Sequence, residues 1–437
     1  MRTVLARRAA VLSASAVLLL SPFGATASAQ PADAPTQLGA HELPAELVEA
    51  IDRDLQMTPQ EYLDRAATAQ QLSSYASTFR ADHPDAFAGA WIGEDGEEIV
   101  AVTSSDAADA ARQDGYTTRM APVSAAGLEQ GLSDVNTWIA TLPRELSSQI
   151  NSAAIDFLNN RIVIDVVNSP IGRALNLPTI VAGVKVVLSP GSGGPVDGRP
   201  MGGDTYVTTA GPLRETPTDR IGVCSFGFNG TDADGSAVNI SAGHCNPEQG
   251  TASSVYLPDR ENIDASEEIG RFDRSAVGSA AGGLDYSVIA LNDKGVAAGL
   301  DRPTVRGANG TTLDITGTAR PVVGAPICKS GQSSSFTCGL VVADTVETQL
   351  LMEDGTSRTV RGFAGTACTL AGDSRGAIVT GSLALGVTSG SNASMAPNCT
   401  EANLVLSTEG GTANLGIPVV DILDAEPGLN IRTATRD

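Results

Sequence analysis

The amino-acid sequence predicts an α+β domain followed by an all-β domain, with an exposed linker between them. Residues 30–188 mix helical with strand patterns, whereas short β runs and glycine-rich turns fill residues 204–437. Residues 189–203 are dense in Gly, Pro and Ser and carry too little apolar surface to pack. A chain of 437 residues is long enough for each domain to bury a core of its own.

The N-terminus has the pattern of a signal peptide. Arg2, Arg7 and Arg8 precede an apolar run at residues 9–20, and the small residues of segment 27–29 then suit a signal peptidase. A membrane anchor is the competing interpretation, but an apolar run of about a dozen residues is too short for a bilayer core of roughly 30 Å. We therefore expect residues 1–29 to be removed and the protein to be secreted into the extracellular medium.

Both domains are expected to contain short, regular elements. In the first, the predicted elements are a helical stretch at 43–70, a hairpin of 90–92 with 99–102 around Asp95-Gly96, a helix-like stretch at 124–157 and a strand at 161–167. In the second, they are strands at 222–228, 237–241, 286–291, 340–342, 378–380 and 384–388 and a terminal helix at 417–423. This rhythm of strands and turns is typical of a β-barrel or a β-sandwich.

Charge and cysteine usage argue against several functions. A net charge of −22 opposes binding to nucleic acid and to anionic membranes. All six cysteines lie in the second domain, and an even number in an exported chain indicates disulfides. A metal site is the rival interpretation, which is disfavoured because the chain has no CxxC pair and His244 is the one histidine of that domain. We expect neither a metal nor another cofactor.

Three polar residues of the second domain stand in motifs that suit catalysis. His244 follows a predicted strand, Asp285 precedes another, and Ser374 lies in the glycine-rich turn 372–376. A histidine by itself is more often a surface or packing residue, so the three motifs are weighed together. A serine hydroxyl is a weak nucleophile at neutral pH, and it needs an imidazole to take its proton and a carboxylate to orient that imidazole.

Together these motifs resemble the chymotrypsin-like serine peptidases, in particular the secreted actinobacterial branch typified by the streptogrisins and α-lytic protease. The resemblance covers nearly the whole chain after the signal peptide. It implies two six-stranded antiparallel β-barrels with a short C-terminal helix in residues 204–437. It also implies that residues 30–188 are a pro-domain that assists folding and then inhibits the enzyme, and that the maturation cut lies in the linker 189–203.

The same resemblance implies roles for individual residues. His244, Asp285 and Ser374 would form the catalytic triad of a serine endopeptidase. The other implied features are an oxyanion hole from the backbone N–H groups of Gly372 and Ser374, a substrate-pairing strand at Thr388, Ser389, Gly390 and Ser391, and the disulfides Cys224–Cys245, Cys328–Cys338 and Cys368–Cys399. The implied partners are a protein or peptide substrate and the chain's own pro-domain, and we expect a monomer.

One residue departs from the family's usual Gly-Asp-Ser-Gly-Gly, because Arg375 follows the serine. Its side chain either strains a turn that needs glycine-like backbone angles or projects toward the leaving-group side of the cleft. A secreted binding protein that has lost turnover is therefore one alternative. An α/β-hydrolase esterase is another, since residues 372–376 also fit Gly-x-Ser-x-Gly, but those enzymes have the order Ser, Asp, His and place a helix after the serine.

By the same resemblance, the primary specificity pocket consists of residues 368–371, 388–391 and 410–412, none of which is charged. A pocket for Lys or Arg needs a buried carboxylate, because an unpaired cation is costly to desolvate. Relatives that cut after glutamate have a histidine where Thr388 stands here. We therefore expect cleavage after medium-sized apolar residues such as Leu, Met or Val, with Glu second.

Overall fold

The computed structural model describes residues 36–147, 149–167, 184–189, 205–217, 220–259, 262–278, 282–306, 312–331, 335–351, 357–368, 376–391 and 414–434. The helices in these ranges are α1 Ala45–Ala50, α2 Pro59–Asp82, α3 Ser105–Gln113, α4 Ala125–Thr141, α5 Arg144–Ser147, α6 Asp293–Gly295 and α7 Val419–Ala425. Single 3-10 or π turns occur at Ala40–Glu42, Ile51–Leu55, Leu213–Glu215, Gly243–Cys245, Ile263–Ala265 and Val296–Leu300.

The strands are numbered in chain order. Before the linker they are β1 Phe87–Ile92, β2 Glu98–Val102, β3 Thr117–Met120, β4 Ile150–Asp156, β5 Arg161–Val167 and β6 Val184–Ser189. After it, the strands up to the middle of the second half are β7 Thr205–Thr209, β8 Gly222–Ser225, β9 Phe228–Thr231, β10 Ala237–Ser241, β11 Ser254–Leu257, β12 Glu267–Val277, β13 Asp285–Leu291, β14 Thr304–Arg306 and β15 Thr312–Asp314. The remainder are β16 Gly317–Thr318, β17 Pro326–Gly331, β18 Ser335–Leu351, β19 Ser357–Gly365, β20 Ala377–Thr380, β21 Leu383–Ser391, β22 Asn414–Pro418 and β23 Asn430–Ile431.

The N-terminal helical stretch is interrupted, contrary to the prediction of one stretch at 43–70. Helix α1 ends at Ala50, a π turn follows, and the backbone turns at Gln56, whose φ is +54°. Helix α2 then begins after Thr58, whose hydroxyl accepts a hydrogen bond from the N–H of Glu61. The Glu61 carboxylate accepts from the N–H of Thr58 in return, and this capping box fixes a new helix start. Apolar spacing alone does not reveal the break, because it continues on both sides.

The first sheet confirms the predicted hairpin. Strands β1 and β2 pair antiparallel, and Gly96 in their turn has a φ of +86°, which glycine adopts at little cost. The helix predicted at 124–157 is wrong in its second part, because α4 ends at Thr141 and β4 forms further along. Pro143 explains the end of α4, since proline lacks an N–H and disfavours helical backbone just before it.

The second half is mostly β, as predicted. One sheet has eight strands in the order β23-β9-β10-β13-β12-β11-β7-β8. The strand predicted at 237–241 coincides with β10, whereas the one predicted at 222–228 is divided between β8 and β9. A second sheet has ten strands, and its main path runs β17-β20-β21-β22-β19-β18-β4-β5-β6. Two barrels of six strands each therefore stay a prediction.

The ten-stranded sheet is shared by the two halves of the chain. Strand β18 is 17 residues long, and a strand of this length presents an edge that needs covering. Strand β4 pairs with it antiparallel, with Ala154 opposite Val346 and Ala153 opposite Glu347. Strands β5 and β6 extend the sheet beyond β4. The halves that the sequence predicts as separate domains are thus joined by backbone pairing.

Apolar clusters also cross between the halves. One joins residues before and after the linker: Leu72, Phe79, Val100, Leu128, Ile155, Ile327, Val341 and Phe363. A second cluster also contains residues from both sides of the linker: Leu47, Ile51, Tyr62, Phe336, Val379 and Ile417. A third lies in the eight-stranded sheet: Tyr206, Val255, Phe272 and Ile289. None of the helices in the described part of the chain has the length and apolar character to cross a membrane.

Candidate active site

His244 lies in the tight turn that follows β10, in the eight-stranded sheet. A disulfide from Cys245 to Cys224 fixes the end of this turn. At its start, a Cβ on Gly243 would lie only 2.2 Å from the carbonyl oxygen of Ala276 in β12. Glycine is therefore required for the backbone to approach β12 and β13 so closely. The close approach brings the imidazole beside the first residue of β13.

Asp285 is that first residue, and its side chain has no exposed surface. Its Oδ1 accepts the backbone N–H of His244 at 2.8 Å, and its Oδ2 lies 2.6 Å from His244 Nδ1. An ionised carboxylate can only accept hydrogen bonds, so Nδ1 carries the proton in this contact. The lone pair of the neutral imidazole is then on Nε2, which is the atom a general base needs.

The carboxylate of Asp285 is held in its charged form. Burial acts to raise its pKa, but attraction to His244 and hydrogen bonds from His244 and Ser389 outweigh burial and lower the pKa below the ordinary value of 3.8. The side chain of His244 is only 12% exposed. The buried, ionised carboxylate of Asp285 can therefore stabilise an imidazolium on His244.

The side chain of Ser389 has a role that the sequence does not signal. Its Oγ donates a hydrogen bond to Asp285 Oδ2 at 2.5 Å, across the seam between the two sheets. The register of β21 against β22 shifts between Thr388 and Gly390, so Ser389 is the extra residue of a bulge. A bulge re-aims its side chain, but its position depends on strand pairing and not on local sequence.

The neighbouring residues of β21 differ in their hydrogen bonds and in the space around them. Thr388 is buried, and both its N–H and its hydroxyl donate to the carbonyl oxygen of Gly376, at 3.1 and 3.0 Å. Its hydroxyl proton is therefore committed to the backbone. Among the described residues, a Cβ on Gly390 would have no neighbour within 4 Å. Ser391 ends the strand opposite Asn414.

The remaining predicted site residues lie outside the described residues: residues 369–371, Gly372, Asp373, Ser374, Arg375, Cys399 and residues 410–412. Cys368 is disulfide-bonded, and its carbonyl accepts a hydrogen bond from Thr337 at 2.7 Å. A second disulfide, Cys328–Cys338, joins β17 to β18. After Gly376 the chain continues as strand β20 and not as the helix that the α/β-hydrolase alternative requires.

The tight packing around Gly243 leads to a prediction. Gly243→Ala should lower the free energy of unfolding by about 1–3 kcal/mol, because the new Cβ would overlap backbone oxygens that cannot rotate away. It should also reduce activity by displacing His244 from Asp285. Urea unfolding and peptide hydrolysis would measure the two effects. Gly211→Ala is the matched control, since a Cβ there would have no atom within 4 Å in the described part of the chain. Equal stability of the two variants would contradict the prediction.

Comparison with known proteins finds relatives for both halves of the chain. The family model described as alpha-lytic protease pro N-terminal matches residues 60–121. Streptogrisin-C of Streptomyces griseus is 25% identical over 98% of this chain and 90% of its own length. Glutamyl endopeptidase 2 of the same species is 33% identical over 39% of this chain and 79% of its own length. Serine protease 2 of Streptomyces fradiae is 32% identical over 39% of this chain and 87% of its own length.

These similarities extend across both halves of the molecule. The pro-region match falls on helices α2 and α3 and the first sheet. Two relatives above 30% identity are covered over most of their own length. The chain therefore belongs to the family of chymotrypsin-like serine peptidases that includes the streptogrisins and α-lytic protease.

Proposed function

We propose that the chain is the precursor of a secreted serine endopeptidase whose catalytic triad is His244, Asp285 and Ser374. The 2.6 Å contact between His244 Nδ1 and the buried Asp285 carboxylate supports this most directly. It selects the tautomer in which Nε2 is basic, and it places a full negative charge where an imidazolium would form. A histidine that served only packing would not need a buried, ionised partner, because desolvating a carboxylate costs several kcal/mol.

In the proposed mechanism, His244 Nε2 takes the proton of Ser374 Oγ while that oxygen attacks the carbonyl carbon of a peptide bond. The oxyanion then accepts hydrogen bonds from the N–H groups of Gly372 and Ser374, each contributing about 3 kcal/mol. The imidazolium gives its proton to the leaving amine, and an acyl ester stays on Ser374. Water, deprotonated by His244, hydrolyses that ester and restores the serine.

We further propose the division of the chain into signal peptide 1–29, pro-domain 30–188, linker 189–203 and protease domain 204–437. Hydrogen bonds between residues before the linker and residues after it support a pro-domain that binds the protease domain. Cys338 donates its N–H to the carboxylate of Asp54 at 2.8 Å, and Leu38 donates its N–H to Ser382 Oγ at 2.9 Å. Cutting within residues 196–204 would separate the two parts covalently while leaving these contacts in place.

Labelling with a fluorophosphonate tests the proposed nucleophile. The secreted protein should be labelled once, at Ser374, after removal of the pro-domain. Ser374→Ala and His244→Ala should abolish labelling, whereas Ser236→Ala, at an exposed serine of the same domain, should not. A folded, processed protein that is not labelled would instead support a binding protein that has lost turnover because of Arg375. Hydrolysis of casein against a short-chain ester separates peptidase from esterase activity.

The expected substrates are chains with a medium-sized apolar residue before the cut. The predicted pocket residues carry no charge, and the Thr388 hydroxyl already donates to Gly376, so it is not available to bind a glutamate carboxylate. A peptide-library digest should show cleavage mainly after Leu, Met or Val. Dominant cleavage after Lys or Arg would refute the neutral pocket, and dominant cleavage after Glu would show that other hydroxyls bind the carboxylate.

A further inference from the structure

A cavity of about 350 Å³ lies between the N-terminal half and the ten-stranded sheet. The charged residues in its lining come from five elements and one loop: Arg80 of α2, Glu129 of α4, Arg320 of the loop before β17, Asp344 of β18, Arg361 of β19 and Asp421 of α7. The first two lie before the linker and the other four after it. The cavity is therefore part of the surface on which the proposed pro-domain docks.

Asp344 is the unusual member of this group. Its Oδ1 is buried and has no hydrogen-bond partner among the described residues, and its carboxylate is otherwise held by its neighbour Thr345. Strand β18 has register irregularities on both sides of Ala343, against β19, and such irregularities re-aim side chains. An unpaired carboxylate oxygen at a buried interface is costly when it is charged and cheap when it is protonated.

Arg80, which the N-terminal half contributes to the cavity lining, interacts mainly with Glu129, and its attraction to Asp344 is weaker. Arg80 makes two hydrogen bonds to the carboxylate of Glu129, at 2.8 and 2.7 Å, so its charge is already balanced. Glu129 in turn repels a charge on Asp344, and Arg361 attracts it. Burial, with the repulsion from Glu129, raises the pKa of Asp344 to about 6.

The pKa values of two further carboxylates at this interface are also raised. Glu347 accepts a hydrogen bond from Asn136 of α4, and burial raises its pKa despite Arg361 and that bond. Asp421 lies 3.5 Å from Arg320, and burial raises its pKa as well. Burial thus raises the pKa of three carboxylates in and beside the cavity.

We propose that Asp344 is a proton-sensitive latch, which holds the N-terminal half on the protease domain when it is protonated and loosens that contact when it ionises. This rests on the proposed function, because only a precursor has a pro-domain to release. The latch is separate from the triad, and it would keep the precursor closed in an acidic medium and favour opening at neutral pH.

The direction in which docking depends on pH follows from proton linkage. The docked state has the raised pKa, about 6, and an undocked Asp344 in water has the ordinary value of 3.8. The docked state therefore binds more protons between these values, so its stability is present at low pH and is lost as the pH rises through about 6. For this one group, docking should weaken about tenfold between roughly pH 5 and pH 7.5.

Hydrogen exchange of the full chain tests the latch. Ser374→Ala is used as background so that the chain stays uncut, and exchange is corrected for the intrinsic effect of pH. Protection of the β4 and β18 amides that pair across the interface should fall about tenfold between pH 5 and pH 7.5. Amides of the β10 and β13 pair, within the eight-stranded sheet, should not follow this change and serve as the internal control. Protection at the interface that is independent of pH would overturn the proposal.

Variants separate the latch from other titrating groups. Asp344→Asn should lose most of the pH dependence, with a smaller remainder from Glu347 and Asp421. Asp424→Asn, at an exposed carboxylate 3.4 Å from Arg320, should keep the wild-type dependence. An Asp344→Asn chain with an undiminished pH dependence would contradict the proposal. If that variant does not fold, Glu129→Gln should move the dependence to lower pH by removing a repulsion. Hydrogen exchange does not depend on catalysis. A negative result for the latch is therefore distinguishable from a negative result for the proposed triad, which labelling and hydrolysis test.

Discussion

Replacing Ser374 by alanine should lower kcat for peptide hydrolysis by about 10⁶-fold, because the variant has no hydroxyl to form the acyl-enzyme. The activity that is left would come from substrate binding and from the oxyanion donors, and it should be about 10³-fold or more above the uncatalysed rate. Initial rates on a chromogenic peptide, with enzyme concentration set by absorbance, would measure the loss. Ser236→Ala is the matched control at an exposed serine.

His244→Ala should cost nearly as much as Ser374→Ala, since members of a triad act as a unit. The double variant should then be no slower than either single variant. Losses that multiply in the double variant would mean that the two residues act independently. Normal turnover in either single variant would show that a different residue is the nucleophile or the base.

Asp285→Asn should lower kcat by about 10⁴-fold with little change in KM. An amide can present its N–H₂ group to His244 Nδ1, which would then lose its proton to Nε2, and the base would be absent. The variant also cannot carry the charge that stabilises an imidazolium. The amide oxygen, in the place of Oδ1, could still accept the His244 N–H, and the Ser389 hydroxyl could accept a hydrogen bond from the N–H₂ group in the place of Oδ2, so the fold should survive.

Two comparisons make the Asp285→Asn result specific. Asp273→Asn changes an exposed carboxylate of β12, 54% exposed and paired with Arg274, and should leave kcat unchanged. Ser389→Ala removes one hydrogen bond to Asp285 and should reduce kcat far less than Asp285→Asn does. A loss that appears only in thermal stability and not in kcat would show that Asp285 is structural.

The local elements that the sequence predicts correctly are those decided by short-range physics. The hairpin around Gly96 and strand β10 follow from turn chemistry and alternation over a few residues. Boundaries were harder to predict, because a capping box at Thr58 and a proline at 143 interrupt apolar patterns that continue past them. Those errors concern where helices end and not whether they exist.

In the candidate site, too, the features set by local motifs could be predicted, whereas those set by strand pairing could not. The motifs around His244 and Asp285 predict an imidazole and a carboxylate at the ends of two strands, and these side chains lie 2.6 Å apart. The hydrogen bond from Ser389 could not be predicted, because it depends on a bulge whose register is set by pairing with β22. Ser374 lies outside the described residues, so its place in the triad stays a prediction.

The sequence alone predicts the mostly β character of the second half and the candidate residues for acyl transfer, since strand alternation, turn residues and side-chain chemistry are local properties. Three features became visible only in the folded chain: β4 completes the edge of β18, Ser389 donates a hydrogen bond to Asp285, and Oδ1 of Asp344 is buried at the interface. Each of these depends on segments far apart in the chain, and burial and pairing between such segments are set by packing of the whole fold.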